Sequence, residues 1–350
     1  MKIFNKKILG LIISIFFIVL IIQQVDIKKS FESIHHINLT YFPLIIPLYL
    51  LSFMFRAYRW RFILSSDSLL KIRSLISSLF IGFMVNCFLP ARMGEFYRAH
   101  LFGKKENIKR ATVFASIVLE RILDGSVLFL ILLSFVCFTY HKPWLFKLCF
   151  AAGFIFIGGF IFLLLFAKFR KLANFQSGLL YFKNLLNKGI SIFPDSIQKK
   201  VYYLADKAKY LLISFVDGLE VFNHSSLLLK SFILTIFIWL LEGTSMFIVI
   251  KGFGIQISYL SSFFVLCVMA FSTMIPAGPA SIGPYQWGYM LALGVFNISK
   301  DVSFAVSIVN QFIGIFLVTV SGLYFMWKDH INMKELKNEV SLEEGAESAF

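Results

Sequence analysis

Six long apolar stretches limit what this chain can fold into more than anything else in it. Residues 8–25, 40–55, 122–140, 144–167, 227–250 and 302–327 are each close to the roughly 20 residues that a helix needs to cross a hydrocarbon core. A soluble core has no use for so many nearly uncharged runs of that length. With 58% hydrophobic residues, 43 phenylalanines and a mean hydropathy of +0.79, the composition leads to the same class, an integral membrane protein. The expected fold is an all-α polytopic membrane protein with about seven to eight spanning helices plus two broken or re-entrant segments. The first run follows a basic start, but no small-x-small cleavage site comes after it, so it reads as a retained span.

The net charge of +15 does not indicate nucleic acid, because the basic residues lie in short clusters between apolar runs. Lys2, Lys6 and Lys7 precede the first span, and Arg56, Arg59, Arg61, Lys71 and Arg73 follow the second. Both clusters are expected on the cytoplasmic side, with a cytoplasmic N-terminus in the inner (plasma) membrane. FRAYRWRFIL, residues 55–64, interleaves aromatics and arginines and reads as an interfacial anchor. Cys87, Cys137, Cys149 and Cys267 stand alone within apolar segments, and the histidines are scattered apart from His35 and His36. No disulfide framework, metal site or cofactor is expected.

Two further segments, 75–90 and 258–276, each run into a proline and then a glycine-containing polar stretch. Re-entry of 75–90 from the cytoplasm keeps the basic residues from Arg92 to Arg110 on that side. PARMGEFY, residues 90–97, lies over PASIGPYQ, residues 279–286, with proline, alanine and glycine in register. Paired interruptions at Pro90 and Gly94, and at Pro276, Pro279 and Gly283, point to an internally repeated transporter with a polar cavity where the breaks meet. Counting spans brings 258–287 in from the outside as an inverted repeat, and places the start of the tail outside. Residues 1–327 then form one transmembrane domain. Near 196–222, Ile197, Val201, Leu204, Ala208, Leu211, Phe215, Leu219 and Phe222 make one helical stripe, suited to the head-group region or to packing on the protein's own spans. The acidic tail, 328–350, is expected to be disordered.

Charge also appears inside the apolar runs. Glu120, Arg121 and Asp124 share one helix, and the two acids, four residues apart, share a face and need partners. Arg92 and Arg98 are the nearest candidates in sequence. Glu242 is a second intramembrane acid, and Asn310, Gln311 and Gln286 add amides. Arginine binds phosphate bidentately and keeps its charge in low dielectric, so Arg92 and Arg98 with Glu95 suit a lipid head group.

The ordered motifs N-x-x-L-P-A-R-x-G-E-x-x-R (Asn86 to Arg98), E-R-x-x-D (Glu120 to Asp124), W-x-x-E (Trp239 to Glu242) and P-x-G-P-x-x-I-G (Pro276 to Gly283) resemble the lysylphosphatidylglycerol synthase transmembrane-region family. The resemblance implies a helical domain that moves lipids or lipid-linked intermediates between leaflets. It also implies that Asn86, Pro90, Arg92, Gly94, Glu95, Arg98, Glu120, Arg121 and Asp124 are characteristic positions. Where the family often has a glutamate after the second glycine motif, this chain has Gln286. Bifunctional relatives carry a soluble aminoacyl-transferase domain after the membrane region, whereas this sequence ends at Phe350, so lysyl-lipid synthesis is not expected. No G-x-x-x-x-G-K-[ST] occurs.

The leading expectation is therefore a flippase-like transporter that is not itself an enzyme. It would act on a membrane phospholipid or polyprenyl-linked lipid, with a lipid- or glycan-modifying enzyme as a possible partner. An intramembrane enzyme using Glu120, Asp124 or Glu95 as acid or base is the alternative, and a scaffold for envelope assembly is a third class.

Overall fold

A computed structural model gives the structure of the chain and describes residues 2–64, 70–90, 92–138, 143–169 and 195–331. Most of the polar connection after Phe169, and the acidic tail beyond Ile331, lie outside the described residues. The described residues form α1 (Lys2–Ile22), α2 (Ile27–His35), α3 (Ile45–Leu64), α4 (Ile72–Phe88), α5 (Met93–Glu106) and α6 (Arg110–Phe138). The chain continues with α7 (Pro143–Phe169), α8 (Asp195–Asp217), α9 (Ser225–Gly252), α10 (Tyr259–Ser272), α11 (Pro284–Gly294) and α12 (Lys300–Lys328).

Among the described residues, five helical stretches are long and apolar enough to cross a membrane: 39–64, 110–138, 143–168, 225–252 and 300–328. A sixth is reached if α1 and α2, bent by 83° at their junction, count as one span. The two segments that run into proline are not among them, because they turn back. At 1.5 Å per residue α4 and α10 are only about 25 Å and about 21 Å long, short of a hydrocarbon core of roughly 30 Å.

The first turn-back is a helical hairpin. At its open end Lys105 Nζ donates to Ser77 Oγ at 2.9 Å. At its tip the Gly94 N–H donates to Asn86 Oδ1 at 2.7 Å, capping the start of α5 with a side chain from α4. The glycine is required by proximity, since a Cβ at Gly94 would fall 2.0 Å from the Gly82 carbonyl oxygen. The second hairpin, α10 and α11, is built alike. Gly288 sits so close to α10 that a Cβ there would lie 3.0 Å from the Met269 Cα, and at the open end the Phe264 and Phe296 rings are 5.9 Å apart. The Gly283 N–H donates to Gln286 Oε1 at 2.8 Å, and Pro284 opens α11, where its missing N–H costs nothing.

The order crossing helix, hairpin, crossing helix occurs twice, as α3 to α6 and as α9 to α12. The two units run in opposite directions. Antiparallel α3 and α9 are joined by Ser52 to Glu242 at 2.9 Å and Arg59 to Thr235 at 3.1 Å. Each hairpin packs on the other unit's crossing helix: Met84 of α4 fills the space over Gly322 of α12, and Cys267 Sγ of α10 donates to the Leu128 carbonyl of α6. The arrangement is an inverted repeat.

One expectation about sides is corrected. Asp329, just after α12, pairs with Lys105, hydrogen-bonds Ser77, and lies 3.6 Å from Arg73. The start of the tail therefore shares the side of the first hairpin's open end and its basic cluster, and does not lie opposite to it. Both hairpins return to the side they came from, so among the described residues α1, α3, α6, α7, α9 and α12 are the helices that change sides, and an even number of crossings brings the chain back.

Helix α8 ends at Asp217, short of residue 222, because Gly218 lies against α6, where a Cβ would fall 2.3 Å from the Thr112 carbonyl oxygen. Its two ends behave differently. Ser214 and Val216 are buried against the spans, while Tyr203 and Tyr210 face outward.

Gly94→Ala is predicted to destabilise the protein by about 1–3 kcal/mol through overpacking at the hairpin tip. Gly158→Ala, where nothing lies within 4 Å of the added Cβ, is predicted to cause no loss. Thermal unfolding of the purified protein in detergent compares the two.

Candidate functional site: a polar cavity between the hairpin tips

Four elements supply the polar side chains. On α3, Tyr49, Ser52, Arg56 and Arg59 recur at three- and four-residue steps and so share one face. Thr235, Trp239 and Glu242 do the same on the facing α9. Helix α5 brings Glu95 and Arg98 one turn apart, and α6 brings Glu120, Arg121 and Asp124.

The deeper part of this cluster is a closed ion-pair network. Arg59 grips Asp124 with two hydrogen bonds, Nη1 to Oδ1 at 2.5 Å and Nη2 to Oδ2 at 3.2 Å. Its Nη1 also donates to Thr235, and Asp124 accepts a further bond from Trp239 Nε1 at 3.2 Å. Arg98 Nη1 donates to Glu120 Oε2 at 2.7 Å, and its guanidinium lies over the Trp60 ring, 3.6 Å from the centroid. Arg59 approaches the other Glu120 oxygen at 3.6 Å, which joins the two pairs. Arg59, Arg98, Glu120 and Asp124 are all buried.

In front of this network is a cavity of about 460 Å³ at the junction of the two hairpin tips. Among the residues facing it are Arg56, Arg92, Glu95, Arg121, Trp239 and Glu242. Arg121 Nε lies 2.9 Å from Glu95 Oε1, and Arg56 Nη2 donates to Glu242 Oε1 at 3.1 Å. Arg92 sits in the break itself, in the left-handed region at φ 55°, and its Nη2 donates to the Thr273 carbonyl of the opposite hairpin at 3.1 Å. A positive φ is unusual for arginine and is held here by the contact across the tips.

The charges around the cavity do not balance. Five arginines (56, 59, 92, 98 and 121) face four carboxylates (95, 120, 124 and 242), and four arginines have close carboxylate partners. Arg92 is the fifth: its nearest carboxylate, Glu95, is 4.0 Å away and already pairs with Arg121. Its side chain is 40% exposed, against 2% for Arg59 and Arg98. A cavity with one surplus guanidinium and a nearby carboxylate is suited to an anion, and to a phosphate in particular.

Not all the residues singled out from sequence face this space. Asn86, Arg92, Glu95, Arg121 and Glu242 line it, as does Pro276. Arg98, Glu120 and Asp124 lie behind it in the closed network. Pro90, Gly94, Pro279 and Gly283 shape the breaks. Gln286 is separated from the cavity by Gln311, to which its Nε2 donates at 2.5 Å.

The reading of residues 55–64 as an interfacial anchor is corrected for Arg56 and Arg59, which are 7% and 1% exposed and bind Glu242 and Asp124. The signal was available in the sequence, because Tyr49, Ser52, Arg56 and Arg59 form a polar stripe at helical spacing on an otherwise apolar span. Among the described residues no group of three or more His, Cys, Asp and Glu is placed to hold a metal ion.

Comparison with known proteins gives sequence relatives along most of the chain. The family of the lysylphosphatidylglycerol synthase TM region matches residues 7–322. A UPF0104 membrane protein of Methanocaldococcus jannaschii is 25% identical over 97% of this chain and 98% of its own length. A second from the same organism is 23% identical over 73% of this chain and 98% of its own. A UPF0104 membrane protein of Methanothermobacter thermautotrophicus is 21% identical over 72% and 74%. No solved structure matches.

Arg59→Ala is predicted to destabilise the fold by about 3–5 kcal/mol, because it leaves Asp124 buried without its main partner. The double variant Arg59→Met with Asp124→Leu is predicted to recover most of that loss. Arg92→Ala, at a half-exposed and weakly paired position where one hydrogen bond to Thr273 is lost, is predicted to lower the unfolding temperature far less than Arg59→Ala. Denaturation of the three purified variants measures all of this.

Proposed function

Because the chain belongs to the lysylphosphatidylglycerol synthase transmembrane-region family, we propose that it is a flippase-like transporter that moves a phospholipid or lipid-linked intermediate between leaflets. The observation that carries this reading is the surplus positive charge of Arg92, held at the point where two oppositely directed hairpins touch. Carrying a phosphate head group across the hydrocarbon core is costly, and a preformed guanidinium in a polar cavity offsets that cost.

Irregular backbone at membrane depth is tolerated where it lines such a cavity, and inverted repeats place substrate sites at that depth. The two hairpins come from opposite sides, so small movements of one tip against the other would expose the head group first to one leaflet and then to the other. Arg92, Glu95, Arg121, Arg56 and Glu242 are the residues proposed to meet the head group, with Asn86 setting the tip. The closed network of Arg59, Arg98, Glu120 and Asp124 holds them in place. The basic residues near α3's end and around the first hairpin's open end favour a cytoplasmic location for that side and for the N-terminus, in the plasma membrane. On this reading the chain carries out the translocation step, and an enzyme that makes or consumes the lipid is the proposed partner.

Reconstitution tests the reading. Wild-type protein in liposomes is predicted to speed leaflet exchange of a fluorescent anionic phospholipid. Arg92→Ala and Glu95→Gln are predicted to remove that gain without loss of folding. No acceleration with anionic, aminoacylated or polyprenyl-linked lipids would overturn the proposal, and recovery of a covalently altered lipid by mass spectrometry would replace it with an enzyme.

A further inference from the structure

A second cavity, of about 290 Å³, lies beside the first. It is an open groove lined by α1, by α2, which turns across its end at 83° to α1, and by the first half of α12. Its walls include Ile18, Ile22, Phe31, Phe304 and Ile308, and nearly all of its surface is apolar. Polar lining comes from Ser30 near the outer end and from Gln286 at the inner end.

Gln286 is 3% exposed and belongs to the partition between this groove and the polar cavity. Its Nε2 donates to Gln311 Oε1 at 2.5 Å, Gln311 Nε2 donates to the Ala280 carbonyl at 2.8 Å, and Gln286 Oε1 accepts from the Gly283 N–H at 2.8 Å. Gln311 and Ala280 face the polar cavity, while Gln286 faces the groove. At this point two hydrogen-bonded amides, Gln286 and Gln311, stand between the groove and the cavity.

The loop in that wall is held in an uncommon conformation. Ala280, Ser281 and Gly283 have φ of 52°, 55° and 102°, and such residues cost of order 1–3 kcal/mol each when they are not glycine. Helix α1 clamps the loop from outside: the Ser14 hydroxyl accepts from the Gly278 N–H at 2.9 Å and donates to the Ile282 carbonyl at 2.7 Å. Five hydrogen bonds hold the loop and the amides that stand between the apolar groove and the charged cavity.

We infer that the groove is a hydrocarbon-chain subsite, taking one acyl or isoprenoid chain of the same lipid whose phosphate is held at Arg92, with the amide partition opening to join the two compartments. The inference rests on the proposed function for the identity of the head group. The groove itself argues for the chain. It is apolar on nearly every side, it is parted from the charged cavity by the Gln286–Gln311 pair, and it sits in a protein whose surroundings supply hydrocarbon chains at high concentration.

Photo-crosslinking tests this without requiring transport. Full-length protein in lipid nanodiscs is labelled with a phospholipid carrying a diazirine at the end of one acyl chain, and the labelled peptides are mapped by mass spectrometry. Labelling is expected to be saturable on residues 18–31 and 304–308, and at least about fivefold denser there than on Phe150 and Phe154, which point out from α7 and are 79% and 77% exposed. Ile308→Trp and Ile22→Trp, each checked for wild-type unfolding, are expected to cut groove labelling about fivefold and to leave α7 labelling unchanged.

Labelling that merely follows exposure, or that persists in both folded tryptophan variants, overturns the subsite. A diazirine fatty acid that labels the groove while the phospholipid does not would sever the groove from the head-group cavity and overturn the two-compartment assignment. Saturable phospholipid labelling in a protein that fails to accelerate leaflet exchange would leave the subsite standing and remove the transport reading.

Discussion

The hydrogen-bonded pair between Arg59 and Asp124 is the contact on which the rest of the membrane core depends. Apolar side chains gain little from one another when the solvent is itself hydrocarbon, so packing and polar contacts decide which helices touch. This pair ties α3 to α6, and through Thr235 and Trp239 it also ties both to α9. Burying a full charge is costly, and here each partner has more than one bond to offset that cost. Once Asp124 is fixed, Arg121, three residues earlier, is turned toward Glu95 and the cavity, and Glu120 is turned back toward Arg98. The carboxylates are thereby taken by four of the five arginines, and Arg92 is left in the cavity without a close partner of its own.

The breaks are governed by the backbone. A helix that stops at membrane depth exposes N–H groups that lipid cannot satisfy. Both units meet this with an amide side chain: Asn86 caps the start of α5 and Gln286 caps the start of α11. The amides reach the break from opposite directions, one from the preceding helix and one from the following helix, so the units match in topology without matching atom for atom. The same difference gives the two sides of the molecule different roles, with Arg92 at the first break and an amide wall at the second.

Much of this was legible beforehand for a physical reason. Spanning length, helix-breaking proline and glycine, and charge set within apolar runs are local properties, readable over a window of a few turns. The runs at 122–140, 144–167, 227–250 and 302–327, the breaks at Pro90 and Pro279, the echo between them, and the candidacy of Arg92, Glu95 and Arg121 all belong to that class. Arg56 and Arg59 misled because arginines beside aromatics near the end of a span suit an interface equally well by composition, and only their periodicity with Ser52 and Tyr49 sets them apart.

What the chain's order could not show is which acid meets which base. Arg59 and Asp124 are 65 residues apart, and Ser52 and Glu242 are 190 apart. Nothing local distinguishes Arg59 from Arg98 as the partner of Asp124; the choice follows from which helices become neighbours. The side of the tail depends likewise on whether two short helices cross or return, and the close approaches at Gly82, Gly94 and Gly288 decide that. The sequence by itself determined an all-helical membrane protein with two interrupted segments and charges that need partners. Only the tertiary structure decided that those segments turn back toward opposite sides, that most charges close on each other, and that one cavity arginine is left without a close carboxylate of its own, because these outcomes depend on contacts between distant segments.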